Sequence, residues 1–380
     1  MKLRELQLRL ARLATLKESA EPLVSCYLNA GAGALAFEEQ ARGLRAEAPE
    51  AWRAPLEEAL NQIRAFVLAD PPNKHEGLAV FARAGQEPLF LGLRLRAPLP
   101  TRVVSDWRPH VYPLVEIRDN YDHFVVMHAT DSRVKILEVD LGAAVEVTLK
   151  TRPALRRREG REWTKQHFLR YRRERIRQFI KSAVRELASE MSANGYRRFV
   201  LTGEPRAMAE VRKSLTKPLE SMLLAAIPYA GEDAAAALAA LALPVFRDYE
   251  EQESRSMVEK LRRELETGGH GAAGPLATLM AIRRKQAQAV VMAKDCQLGR
   301  AWECSACGWL AALESEAAVC PSCRRPLRSI DLKEEIARNA VVTGCEVEIV
   351  AEPGALAHIG GVGCLLRYLA AEQWAAKMSA

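Results

Sequence analysis

With 380 residues the chain can hold two or three domains, each large enough for its own core. A hydrophobic content of 49% against 27% charged residues excludes a disordered or fibrous chain, and no apolar run approaches the ~18 residues of a membrane span. The net charge of +7 suits a nucleic-acid or ribosomal partner.

In chain order, Leu3, Leu6, Leu8, Leu10 and Leu13 alternate with arginines in an amphipathic amino-terminal helix. It lacks the apolar stretch and cleavage site of a signal peptide, and Glu5, Glu18 and Glu21 disfavour a transit peptide, so the expected location is cytoplasmic. Residues 23–31 read as a strand, residues 37–68 as helix punctuated by Pro49 and Pro55, and residues 77–83 and 88–95 as two strands around Ala84-Gly85. The proline-spaced residues 97–117 read as an extended exit from a first domain. From about residue 121, two strands flank Thr130-Asp131-Ser132 and a third follows. Further on come a buried strand at 199–202, a turn at Gly203-Glu204-Pro205, a helix, a short extended piece at 227–229 and an alanine-rich helix at 232–243. A charged helix after Phe246 opens the last part, then a glycine break at 268–271, a helix–strand pair over 276–295, a helix at 332–339 and strands at 346–350 and 360–368. The expected fold is mixed α+β and α/β in three domains: residues 1–118, residues 119–248 with a basic loop and helix, and residues 249–380 with a four-cysteine insertion at 301–327.

The segment from Arg152 to Arg177 carries eleven lysines and arginines against three glutamates. Pro153 and Gly160 break its first half, whereas Phe168, Ile176, Phe179, Ile180, Ala183, Val184 and Leu187 mark one face of a long helix. Arg170, Arg172, Arg173 and Arg177 form the opposite face. Structural helix faces usually mix signs, so this excess of one sign points to a polyanion such as a phosphate backbone, with a plain solvated face as the bland alternative.

Four of the eight cysteines form Cys304-x2-Cys307 and Cys320-x2-Cys323. Two such knuckles supply a complete tetrahedral shell of four thiolates with no position left for water, the pattern of a structural zinc. A redox dithiol is the alternative for one pair. His123 and His128 lie five apart across a strand, on opposite faces and unsuited to share a metal. His167 has no nucleophile partner in a recognisable motif, and no P-loop or nucleophile elbow is present. Gly360-Gly361-Val362-Gly363 leads into a strand, so it reads as a tight turn and not as a phosphate cradle.

The order of parts resembles the class-I peptide release factors of eukaryotes and archaea and their relative Pelota. The likeness rests on residues 345–350 with the Gly360-Gly361-Val362-Gly363 to Leu365-Leu366-Arg367-Tyr368 ending, on residues 274–292, on Phe168-Leu169-Arg170-Tyr171-Arg172 and on Tyr229-Ala230-Gly231-Glu232-Asp233. It implies a three-domain tRNA-shaped protein with a metal-binding minidomain in the last domain. Where the family's hydrolytic Gly-Gly-Gln would fall, this chain has Arg161-Glu162-Trp163, and the family's stop-codon-reading motifs are missing from the first domain. The resemblance therefore implies a monomeric, non-enzymatic A-site occupant, of the hibernation or rescue kind, assisted by a GTPase of the elongation-factor Tu class. Arg156, Arg157, Arg158, Arg161, Trp163, Lys165, Gln166, Arg170, Arg172, Arg173 and Arg177 become the expected rRNA contacts. A peptidyl-tRNA hydrolase using Gln166 or His167 in an altered loop is one alternative, and an RNA-binding protein acting off the ribosome is another.

Overall fold

The computed structural model describes residues 3–29, 34–69, 77–120, 123–140, 143–153, 165–231, 234–312, 319–352 and 354–368. They form two compact units, one of residues 5–120 with 252–380 and the other of residues 2–4 with 121–251.

The first unit begins with helix α1 (Leu3–Ala14), where Leu6, Leu10 and Leu13 are buried as one stripe while Leu8 faces water. Strand β1 (Leu23–Leu28) is buried along its length. Helices α2 (Ala34–Glu47) and α3 (Glu50–Ala69) follow, then strands β2 (Gly77–Arg83), β3 (Leu89–Leu95) and β4 (Arg102–Asp106), and helix α4 (Tyr112–Asn120). The sheet runs β3-β2-β1-β4, antiparallel throughout. Phe37, Leu56, Leu60 and Ile63 of the two helices pack on Cys26, Leu78 and Val80 of the strands.

The second unit is built on β5 (His123–Ala129), β6 (Arg133–Asp140) and β7 (Ala143–Thr151), an antiparallel meander. Helix α5 (Lys165–Asn194) then crosses to β8 (Phe199–Gly203), and α6 (Pro205–Ser214) with α7 (Lys217–Met222) leads to β9 (Leu223–Pro228). The sheet order is β7-β6-β5-β8-β9, with β5, β8 and β9 parallel. Ile180, Ala183, Val184 and Leu187 of α5 and Val211 of α6 cover one face of the sheet. The other face receives α8 (Ala235–Glu266), whose Phe246 stacks on Phe124 with ring centroids 4.5 Å apart. At the end of β8, Gly203 has φ +130°, and a Cβ there would stand 1.9 Å from the Ala129 carbonyl oxygen. Only glycine lets the two parallel strands close at that point.

From Gln252 onward the residues of α8 belong to the first unit. There follow β10 (Gly271–Ala273), α9 (Pro275–Arg283), β11 (Ala287–Ala293), β12 (Arg300–Cys304), β13 (Leu310–Ala312), β14 (Leu327–Asp331), α10 (Leu332–Thr343), β15 (Glu346–Val350) and β16 (Val362–Leu366). One sheet runs β10-β16-β11-β15, with β11 and β15 parallel, and a separate small sheet runs β13-β12-β14. Asp331 caps α10 by accepting from the Lys333 and Glu334 amides, and the helix ends at Gly344 with φ +67°.

The mixed α+β and α/β class expected from the sequence holds, with three corrections to local readings. Residues 97–117 are not an extended exit: β4 pairs with β1 in the middle of this stretch, and α4 starts with Pro113 in its first turn. The prolines flank the elements instead of interrupting them. The alanine-rich helix and the charged helix after Phe246 are one 32-residue helix that carries Pro244 inside it. The glycine run at 268–271 is a turn that feeds β10, which pairs with β16. The four-strand sheets β3-β2-β1-β4 and β10-β16-β11-β15 lie in the same compact unit.

Candidate metal centre and basic helix face

The small sheet exists to present four cysteines. Cys304 ends β12, and the chain turns through Cys307 into β13; Cys320 and Cys323 occupy a second turn before β14. The turns are built alike. In the first, the Cys304 carbonyl accepts from the Gly308 amide and the Cys304 amide donates to the Trp309 carbonyl, both at 2.9 Å. In the second, the Cys320 carbonyl accepts from the Arg324 amide and the Cys320 amide donates to the Arg325 carbonyl, both at 2.8 Å. Each turn closes with a left-handed residue directly after its second cysteine, Gly308 at φ +74° and Arg324 at φ +58°. Arg324 tolerates a conformation that glycine takes freely, which marks the turn as held from outside.

The Sγ atoms of Cys304 and Cys323 lie 3.4 Å apart, those of Cys307 and Cys320 lie 3.5 Å apart, and all four fall within 4.8 Å of one another. A tetrahedron with metal–sulfur bonds of ~2.3 Å has edges of about 3.8 Å, so the cluster fits a four-coordinate ion with little adjustment. These separations are far above the ~2.05 Å of a disulfide, and the cysteines are free thiols. Backbone N–H groups of Cys307 and Ala306 aim at the Cys304 sulfur and push its pKa down to about 6. Against the Arg325 N–H, the hydrogen bond to Cys304 pushes Cys323 up to about 12. The pair thus shares a proton that a divalent cation would displace.

The basic segment is the second expected site. Arg156, Arg157, Arg158, Arg161 and Trp163 lie outside the described residues. Lys165 and Gln166 fall in the first turn of α5, while Arg170, Arg172, Arg173 and Arg177 are all exposed along its amino-terminal part. Core contact of α5 starts with Ile176 and Phe179, and Ile180 is its first fully buried side chain. Phe168, expected on the buried face, is only half-buried and Leu169 is exposed. The first turn has no acidic residue. Cations near a helix amino terminus add to the positive end of the macrodipole, which costs helix stability and attracts anions. His167 is exposed beside this face. His123 stacks on Tyr196 at 4.1 Å and His128 meets the Thr202 hydroxyl at 3.0 Å, so the two histidines are apart as expected.

A third cluster was invisible in the sequence. Glu303 on β12 and Glu335 on α10 are buried to about 5% and 6% side-chain exposure, amid Arg108, Arg283, Arg328 and Arg338. Arg283 reaches Glu303 at 2.6 Å and Glu335 at 3.2 Å. Burial opposes ionisation of Glu335, but the hydrogen bond and charge of Arg338, with Arg108, hold its carboxyl down to about 2. Close by, buried His110 sits between Asp106 at 3.2 Å and Glu334 at 3.3 Å. Burial works against its charge, yet Glu334 and Asp106 raise its pKa to about 9. Gly360 and Gly361 have φ +74° and +83°, and their amides are spent on the Ala357 and Leu356 carbonyls. They form a turn, not an anion cradle.

Comparison with known proteins bears on the region of the basic helix. Residues 109–247 match the model of bacterial archaeo-eukaryotic release factor family 10. Over this span the chain is similar to that family. The release-factor-like span contains the basic segment and the Tyr229 motif, but neither the cysteine block nor the carboxy-terminal ending at 345–368. No curated protein matches the chain. Among solved structures, the archaeal translation termination factor aRF1 is 15% identical over 97% of this chain and 99% of its own, with a TM-score of 0.28. Dom34 of S. cerevisiae is 9% identical over 78% and 81%, with a TM-score of 0.43. A model of ribosome-bound archaeal Pelota and ABCE1 gives 11% identity over 96% and 94%, again with a TM-score of 0.43. Among the described residues no helix is long and apolar enough to cross a membrane.

Proposed function

We propose that this chain is a cytoplasmic, monomeric ribosome-binding factor that occupies the A site as a tRNA mimic without peptide-release chemistry, serving idle or stalled ribosomes. The observation that carries the reading is the exposed face of Arg170, Arg172, Arg173 and Arg177 at the start of α5, inside the release-factor-like span. Helix α5 rises ~1.5 Å per residue, so these four guanidinium groups spread over roughly 10 Å, a length of backbone that presents several phosphates. In the sequence just before this face, Arg156, Arg157, Arg158, Arg161 and Lys165 add positive charge, with Trp163 and Gln166 among them as further contacts. A tryptophan at position 163 cannot place a hydrolytic water as a Gly-Gly-Gln does, and the chain is not an enzyme on this reading. The four-thiol site holds a structural zinc on this reading, since an all-sulfur tetrahedral shell suits that ion and leaves no open position. A translational GTPase of the elongation-factor Tu class is the proposed delivery partner.

The test is co-sedimentation with 70S ribosomes at rising salt, beside a chain in which Arg170, Arg172, Arg173 and Arg177 are all replaced by alanine. Loss of four phosphate contacts should flatten the log–log salt slope by about 3 and weaken binding about a thousandfold near 0.1 M salt. Absence of ribosome association by the unaltered chain at low salt refutes the proposal. Release of labelled peptide from peptidyl-tRNA in a single-turnover assay, lost on Gln166→Ala, would establish the hydrolase alternative instead.

A further inference from the structure

Glu303 occupies the position directly before Cys304, and on β14 its register partner is Arg328. Its carboxylate accepts from Arg328 at 2.6 Å and from Arg283 of α9 at 2.6 Å, and pairs with Arg108 at 3.2 Å. Arg108 follows β4, in the amino-terminal part of the same unit. Arg108 and Arg328 also grip Glu18, in the stretch joining α1 to β1, at 2.6 and 2.8 Å. Arg338 of α10 donates to the Ala14 carbonyl at the end of α1 at 3.3 Å. The Tyr112 amide donates to Glu334 at 2.8 Å. The amino-terminal segment is therefore fastened to the carboxy-terminal elements by charges, and Glu303 and Arg328 stand on the two strands that flank the thiol cluster.

We propose that metal occupancy of the four-thiol site sets how firmly residues 15–22 and 107–112 dock within this unit, with Glu303 as the coupling residue. The proposal rests on the metal reading of the cysteines. Strands β12, β13 and β14 have five, three and five residues, too short for a self-sufficient sheet. The ion would pin the Cys304 and Cys323 turns to one point and so fix the pairing of β12 with β14. Without it that register loosens, and Glu303 and Arg328 move apart from Arg108 and Glu18, so that Arg108 keeps Glu18 and Glu335 but loses Glu303, and Glu18 loses Arg328. Part-buried charges that lose one of their partners are held less firmly, which loosens the segments that carry them.

Hydrogen–deuterium exchange of the full chain tests this, with metal content measured in parallel by elemental analysis. Chelation should speed exchange at least tenfold in residues 15–22 and 107–112, with residues 125–129 and 199–203 of the other unit unchanged. The Glu303→Gln chain, with its metal still bound, should show the same loosening. If chelation affects only residues 300–331, or Glu303→Gln keeps full protection at 15–22 with metal bound, the coupling is refuted. Should chelation also unravel β11 and β16, the Glu303→Gln result decides alone. A purified chain with no bound metal and no uptake of added zinc overturns the metal reading itself, which the elemental analysis distinguishes from a failure of the coupling.

Discussion

His110 gives a pH dependence whose sign and size follow from its surroundings. In the unfolded chain its pKa is the ordinary 6.5; folded, it rises to about 9 because Glu334 and Asp106 outweigh the burial that opposes its charge. The gap corresponds to roughly 3 kcal/mol of folding free energy. Because the folded form holds the proton more tightly, this contribution is complete below pH 6.5 and disappears as pH rises through 9. Other groups around the same cavity, Arg108, Arg328 and Glu335, keep their charges across that window, and Tyr27, which donates to the His110 carbonyl, is pushed to higher pKa by burial. The perturbation is His110→Gln, which keeps a polar side chain and removes the titration. The assay is urea unfolding from pH 6 to pH 10 followed by tryptophan fluorescence. Trp52, Trp107, Trp302 and Trp309 all belong to the first unit, and Trp163→Phe in both chains removes a signal from the other. The stability difference between the unaltered chain and the His110→Gln variant should shrink by roughly 3 kcal/mol between pH 6 and pH 10. A difference that stays constant over that range refutes the charged buried histidine.

Two further outcomes are expected. Gly203→Ala should destabilise the second unit by ~3 kcal/mol or more, since its Cβ would meet the Ala129 carbonyl oxygen at 1.9 Å and φ +130° is closed to L-residues. Calorimetry that leaves the transition of that unit unmoved would show the strands can part at no cost. Cys304→Ser should abolish stoichiometric metal binding, read as metal released per chain on thiol modification, because it removes a buried ligand and leaves three sulfurs. Full metal content in that variant would mean the ion is held elsewhere.

Local order explains which parts of this fold could be read in advance. Strands such as 77–83, 199–203 and 346–350 are short apolar runs bounded by turns, and the helix face of Ile180, Ala183, Val184 and Leu187 repeats every 3.6 residues. The cysteine pairs were legible because metal geometry constrains spacing within a few residues. Prolines misled where they flank elements. Pro113 sits in the first turn of α4, and Pro244 is carried inside a helix whose Leu238, Ala242 and Phe246 are anchored in the core on both sides of it. Tertiary burial of that face overrides a propensity cost of about 3 kcal/mol.

The ion cluster failed to show in the sequence for a different reason. Glu18 and Arg328 are 310 positions apart, and Arg108 and Glu335 are 227 apart, so apart from Glu335–Arg338 on one helix turn the pairs join distant stretches of the chain. Each residue by itself reads as surface charge, and glutamates with 5–6% exposure are the exception among their type. Their burial is what makes the docking specific. An apolar contact tolerates a shift of one residue at modest cost, whereas three carboxylates interleaved with four guanidinium groups do not. Any offset of β12 against β14 takes Arg328 away from Glu303, and weakening the pairing of a buried carboxylate is costly. The arrangement therefore favours one docked position over its neighbours more strongly than it favours docking over separation, which is the property a metal-set register would act upon.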